Sequence, residues 1–158
     1  MSVKKEVKIE YTAFSSADEL DKTDRELVGE AIAAMKNAYA SYSGFKVGAA
    51  VRLSDGRIFL GSNQENSAYP SGLCAERVAL FAAHNDLRGA YITDMAVTGG
   101  KDGVLSQQPV FSCGACAQVL LEFETAGHPV NILFAGSQRI LKLSGAASLL
   151  PFAFQKSV

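Results

Sequence analysis

Leu73-Cys74-Ala75-Glu76-Arg77 and Ser112-Cys113-Gly114-Ala115-Cys116 each open an apolar run, and together they hold every cysteine in the chain. The run from Cys74 to about His84 is alanine-rich and reads as a helix with Cys74 and Glu76 in its first turn; Cys113 to Glu124 reads as a second helix that also carries thiols at its start. Cys-x-x-Cys can turn two thiolates towards one metal, and a third cysteine completes a set of three. Three protein ligands on a metal that prefers four leave a position for water, the arrangement of a catalytic zinc site. Glu76 is then the nearest group able to move protons to and from that water. The Cys113–Cys116 pair by itself fits a redox couple or a buried structural pair equally well, and the Cys-x-Glu partner is what favours the metal.

The strands around these helices follow from short-range signals. Val47 to Leu53 and Arg57 to Gly61 flank Ser54-Asp55-Gly56, where Asp-Gly supplies the backbone angles of a tight hairpin. Tyr91 to Thr98, Val130 to Phe134 and Ile140 to Leu143 read as further strands. Thr23-Asp24-Arg25-Glu26 is a capping box that predicts a helix to about Ala40, with Leu27, Ala31, Ala34, Met35 and Ala38 as its apolar stripe. A short helix is predicted from Ser144 to Pro151. Alternating strands and helices after the hairpin predict a three-layer α/β/α sandwich around a mixed, mostly parallel five-stranded sheet. Residues 1–22, in which Val7 to Tyr11 alternates like an edge strand, are expected to form a loosely attached arm, and 23–158 the catalytic domain.

Bulk properties narrow the partners. The chain has 158 residues, is 48% apolar and suits one domain with a proper core. An odd cysteine count and the lack of an apolar leader or of a run near the ~18 residues of a membrane span predict a cytoplasmic protein with reduced thiols. A net charge of −1 offers no general attraction to phosphate backbones, so a small neutral substrate is expected and no nucleic acid or membrane partner. Ser62 to Leu73, with two asparagines, a glutamate, Pro70 and Gly72, is the candidate binding loop.

The segment Asn63-Gln-Glu65-Asn66-Ser-Ala-Tyr69-Pro-Ser-Gly-Leu-Cys74-Ala-Glu76-Arg77, taken with Cys113-Gly-Ala-Cys116-Ala-Gln-Val-Leu, resembles the small homotetrameric cytidine deaminases. The likeness extends to Ala38 through Ala50 and to Leu149 through Phe154. It implies Zn²⁺ held by Cys74, Cys113 and Cys116, with Glu76 as proton shuttle in the hydrolytic deamination of cytidine and deoxycytidine. It also implies that Asn63 and Glu65 hold the sugar hydroxyls, Phe45 packs on the pyrimidine, the Ala75 backbone meets the ring edge, and Tyr69 and Phe154 close sites near subunit contacts of a homotetramer. Read without the resemblance, Phe45 fits a core position, and Asn63 and Glu65 could shape a turn. Two positions depart from the family pattern: Ser112 where a proline is usual before the cysteine pair, and Ala117 where an arginine is usual after it. Three thiolates around Zn²⁺ leave a net negative charge, so without that arginine either the helix N-termini, together with Arg77, carry more of the balance or the bound water is less acidic than usual in the family. Other readings compatible with these residues are a deaminase of a modified cytosine nucleoside of the blasticidin type and a catalytically weak zinc-binding homologue; Asn63-x-Glu65 favours an unmodified ribose, and Glu76 speaks against a purely structural site.

Overall fold

The computed structural model describes residues 2–154; residues 155–158 of the predicted domain lie outside the described residues. The hairpin predicted around Asp55-Gly56 is present: strand β2 (Phe45–Leu53) turns into β3 (Ile58–Ser62), and Gly56 takes the positive φ of 88° that the turn requires. In chain order the other elements are β1 (Thr12–Phe14), α1 (Lys22–Ala34), α2 (Ala75–Asn85), β4 (Ile92–Lys101), β5 (Val104–Leu105), α3 (Gly114–Phe123), β6 (Asn131–Ala135) and β7 (Ile140–Ser144).

Period-two alternation sorts the central strands into two apolar layers. Ala49, Val51, Met95, Val97, Ile132 and Phe134 face one way and pack against Ala75, Ala79 and Leu80 of α2 and Leu120 of α3. Ala50, Ala96, Leu133 and Ala135, from the intervening positions, face the other way and pack against Leu27, Val28 and Ala31 of α1. Helices therefore cover both faces, and the three-layer α/β/α class predicted from the sequence is the one observed.

The sheet has seven strands in the order β1-β7-β6-β4-β2-β3, with β5 folded back on β4 as a short hairpin. The predicted five, and their mostly parallel pairing, give way here: among the described strands β4 and β6 form the only parallel pair. The connections explain this. β2–β3 and β6–β7 are hairpins, and hairpins pair antiparallel. The α2 crossover carries the chain from β3 past β2, so β4 lands on the far side of β2 and is antiparallel to it; only the α3 crossover joins adjacent strands.

Other boundaries shift for local reasons. Asp21, not Thr23, caps α1, its carboxylate accepting from the Asp24 amide at 2.8 Å and the Thr23 hydroxyl at 2.7 Å; Glu26 is drawn instead to Arg52 at 3.0 Å. α1 ends at Ala34 and only a 3-10 turn, Met35–Asn37, continues towards Ala40. The edge strand is Thr12–Phe14 in place of Val7 to Tyr11: Phe14, with Ala17 and Leu20 after it, packs into the α1-side core, whereas Val7, Ile9 and Tyr11 stay exposed. The predicted helix from Ser144 reduces to a 3-10 turn, Ala146–Ser148.

Two glycines set how near the helices come to the sheet. A Cβ on Gly48 would collide with the Ala31 carbonyl of α1, and one on Gly61 with the Ala75 carbonyl and the Ala79 amide of α2. Gly61 thus seats the first turn of α2, the turn that carries Glu76, directly against β3. Gly61→Ala is expected to cost about 2–3 kcal/mol by overpacking and to lower zinc retention as well, read together by urea denaturation and metal analysis of the purified variant.

Candidate active site

Cys74 is the N-cap residue of α2 and Cys113 that of α3, with Cys116 one turn further along. Both caps have extended backbone and neither thiol makes a capping bond to its helix, so both sulfurs can turn to a common point. Cys74 Sγ lies 3.9 Å from Cys113 Sγ, which lies 3.5 Å from Cys116 Sγ. Ligand sulfurs at ~2.3 Å from a tetrahedral zinc stand about 3.8 Å apart, so the trio already has the spacing of a zinc ligand set. All three sulfurs lie within 4.8 Å of one another, from half-buried Cys74 through exposed Cys113 to buried Cys116.

The neighbouring sulfurs, burial and Arg77 govern the charge on these cysteines. The neighbouring Cys116 side chain, with Arg77 and Cys113 after it, holds the Cys74 thiol at a pKa of about 5 although burial opposes the effect. Cys116, beside Cys74 and buried near Glu76, is pushed the other way and keeps its proton. The Arg77 guanidinium faces the sulfurs of both Cys74 and Cys116, and its Nε is buried without a hydrogen-bond partner. Position 117 cannot supply this charge: its alanine is 2% exposed on the packed side of α3. The cation that the sequence places in question is therefore present, but it comes from α2.

Glu76 is only 3% exposed. Burial pushes its carboxyl above the usual range, partly offset by its own amide and by the Ser112 hydroxyl. A cavity of about 580 Å³ bordered by Asn63, Glu65, Tyr69, Cys74 and Arg77 is large enough for a nucleoside-sized molecule; Cys74 is the member of the trio on its border, and Glu76, Cys113 and Cys116 lie outside the lining. Asn63 accepts from the Val47 amide at 2.8 Å and donates to the Phe45 carbonyl at 2.9 Å, which fixes the start of β2. Glu65 accepts from the Tyr42 and Ser43 amides at 2.8 and 3.2 Å and from the Ser43 hydroxyl at 2.5 Å; the hydroxyl bond is the main reason its carboxyl is held below the ordinary value. These partners of Glu65 sit more than twenty residues away, and no spacing rule in the sequence pointed to them.

The remaining residues singled out from the sequence are more dispersed. Phe45 is half-buried at the start of β2, its ring close to the Gly99 backbone, and does not border the cavity. Ala75 is fully buried beneath the ligand turn. Tyr69 is 79% exposed at the cavity rim and meets Tyr42 edge to face, with ring centroids 6.4 Å apart. Phe154 is 83% exposed and outside the cavity lining; its carbonyl accepts from Gln118 of α3 at 2.9 Å.

With the geometry in place, residues 21–130 match the family described as the cytidine and deoxycytidylate deaminase zinc-binding region. The chain belongs to the cytidine and deoxycytidylate deaminase family. It is 40% identical over 130 residues to a cytidine deaminase of Sporosarcina psychrophila, covering 82% of this chain and 90% of that one. It is 42% identical over 96 residues to one from Mycobacterium tuberculosis, covering 61% and 68% respectively. The crystal structure of cytidine deaminase from Burkholderia pseudomallei superposes with a TM-score of 0.67 at 40% identity, covering 82% of this chain and 97% of that one. The family's zinc-binding region and the three-sulfur cluster coincide, so zinc is the cofactor that fits this deaminase-family site.

In the zinc-free protein, iodoacetamide at mildly acidic to neutral pH should label Cys74 and leave Cys116 intact, because Cys74 is ionised above about pH 5 and Cys116 is not. Arg77→Met should raise the pH at which Cys74 reacts. Peptide mass spectrometry across a pH series reads both, and equal labelling of the two cysteines at neutral pH would contradict the assignment.

Proposed function

We propose that the protein hydrolyses cytidine and deoxycytidine to uridine and deoxyuridine with release of ammonia, a reaction of pyrimidine salvage. The observation that carries this reading is a buried carboxylate, Glu76, two residues from one sulfur of a zinc-spaced trio beside a nucleoside-sized cavity, in a chain of the deaminase family. Cys74, Cys113 and Cys116 would hold zinc, which when bound makes its water acidic enough to supply hydroxide at neutral pH. Glu76 would accept that proton and deliver it to the ring nitrogen, then take the remaining proton from the hydroxyl added at C4 and pass it to the departing amine; its raised proton affinity suits a group that must take a proton and give it back. Arg77 offsets the charge of the sulfurs.

Asn63 and Glu65 are the sugar-hydroxyl ligands in this reading, supported by their position on the cavity border and by backbone bonds that hold them in place before substrate arrives. The resemblance assigns Phe45 to the pyrimidine and the Ala75 backbone to the ring edge, although neither borders the cavity in the single chain. Tyr69 and Phe154 close the site from a subunit contact, and the protein assembles as a homotetramer; the exposure of Tyr69, Phe152 and Phe154 at 79%, 87% and 83% supports a partner surface there. A cytoplasmic location agrees with thiolate ligands that must stay reduced, and no helix among the described residues is long and apolar enough to cross a membrane.

An ultraviolet assay of cytidine and deoxycytidine turnover beside a zinc determination tests the activity: about one zinc per chain and loss of the cytosine chromophore are expected. Glu76→Gln should keep its zinc and fold and lose turnover by several orders of magnitude, since an amide cannot take up the water's proton. Near-normal turnover in that variant would assign the proton shuttle elsewhere. Sedimentation should give a tetramer, and a fully active monomer would refute the shared-site arrangement.

A further inference from the structure

Residues 2–11 form an arm that precedes the family-matched region and is exposed along its whole length. Among the described residues, no backbone group of this arm bonds to the rest of the chain outside the β1–β7 ladder. Extending the pairing of Thr12 with Lys142 by two residues brings Glu10 level with Ser144, the last residue of β7, so everything before Glu10 runs past the edge of its own sheet. A cavity of about 640 Å³ bordered by Ile9, Tyr11, Leu143 and Ser144 opens between the arm and that edge.

An extended segment with unspent backbone donors and acceptors is a template for another strand, and the sequence of this one is complementary to itself. Val3, Lys5, Val7, Ile9 and Tyr11 alternate with Lys4, Glu6, Lys8 and Glu10, so an extended arm carries its apolar side chains on one face and mixed charges on the other. Two copies laid antiparallel with Val7 opposite Val7 place Lys4 against Glu10 and Glu6 against Lys8, each twice by symmetry. On the other face Val3 meets Tyr11, and the aliphatic stem of Lys5 lies along Ile9. No other antiparallel register satisfies all four charges. A slip of one residue sets charged positions against apolar ones; a slip of two sets Glu6 against Glu6 and Lys4 against Lys8, or Lys8 against Lys8 and Glu6 against Glu10. Parallel arms match their charges only when offset by two residues, an arrangement that has no symmetry and does not close.

We propose that this arm is an assembly element: the arms of two copies of the chain pair as antiparallel β-strands about a two-fold axis at Val7. A two-stranded ribbon is marginal by itself, so the arms add to contacts made elsewhere between the copies, and in the tetramer they form two such pairs. The pairing concerns assembly alone and holds whatever reaction the protein catalyses.

Disulfide capture in the full-length protein, its native cysteines held by zinc, tests this. Opposed residues of antiparallel strands have Cα atoms about 4.5–5.5 Å apart, within disulfide reach. Under mild oxidation Val7→Cys should give a covalent dimer and no larger species on a denaturing gel, about tenfold faster than Lys8→Cys, whose own symmetry mate is displaced by two residues along the strand. Lys4→Glu in the Val7→Cys background should slow capture about fivefold by setting carboxylates against each other, and adding Glu10→Lys should restore it. A Val7→Cys protein that stays uncross-linked, as for an arm that closes on its own β7 or holds some other partner, would overturn the proposal. Equal rates for Val7→Cys and Lys8→Cys, or a Lys4→Glu effect that Glu10→Lys fails to reverse, would overturn it as well.

Discussion

Two helix starts from distant parts of the chain must arrive at one point with their sulfurs within 4.8 Å of each other, and most of the architecture serves that requirement. α2 is placed by its contact with β3 and β2 and α3 by its packing on the same sheet face, so the shared apolar layer of Ala49, Val51, Val97 and Ile132 is what sets the distance between Cys74 and the Cys113–Cys116 pair. Gly61 matters for the same reason: it removes the side chain that would hold α2 away from the sheet. A helix N-terminus contributes partial positive charge as well as position, and two of them with one guanidinium surround a cluster that becomes anionic when it binds its metal.

The source of that guanidinium shows how the same electrostatic demand can be met from a different place. Position 117, where the resemblance leads one to expect arginine, is here a small residue packed into the protein, and Arg77 faces two of the three sulfurs from the first turn of α2. Because Glu76 and Arg77 are neighbours on that turn, the group that moves protons and the group that balances charge are both fixed by the seating of α2. The ring-side loop is held separately. Asn63 and Glu65 tie the 42–47 segment to the loop after β3, so the cavity wall is braced by the polar groups that border it.

Much of this was legible in the sequence. The helix starts at Cys74 and Cys113, the Asp55-Gly56 hairpin and the apolar alternation of the central strands are local patterns, governed by a few consecutive residues, and the structure bears them out. The capping of α1 was misjudged because Thr23 and Asp21 both suit a cap, and the choice falls to whichever oxygen meets the free amides; Glu26, the other half of the proposed box, finds Arg52 on a strand that local sequence does not display.

The sequence by itself determined which residues could bind metal, move a proton and form helices, because those properties belong to side-chain chemistry and short-range periodicity. Tertiary structure decided strand order and direction, since whether a crossover lands beside its own strand or one strand further depends on packing across the sheet. It also decided that Glu76 is buried, that Arg77 faces the sulfurs and that Glu65 bonds to Ser43. Each of these joins groups remote in sequence or depends on how far a side chain is removed from water, and only the folded chain sets either.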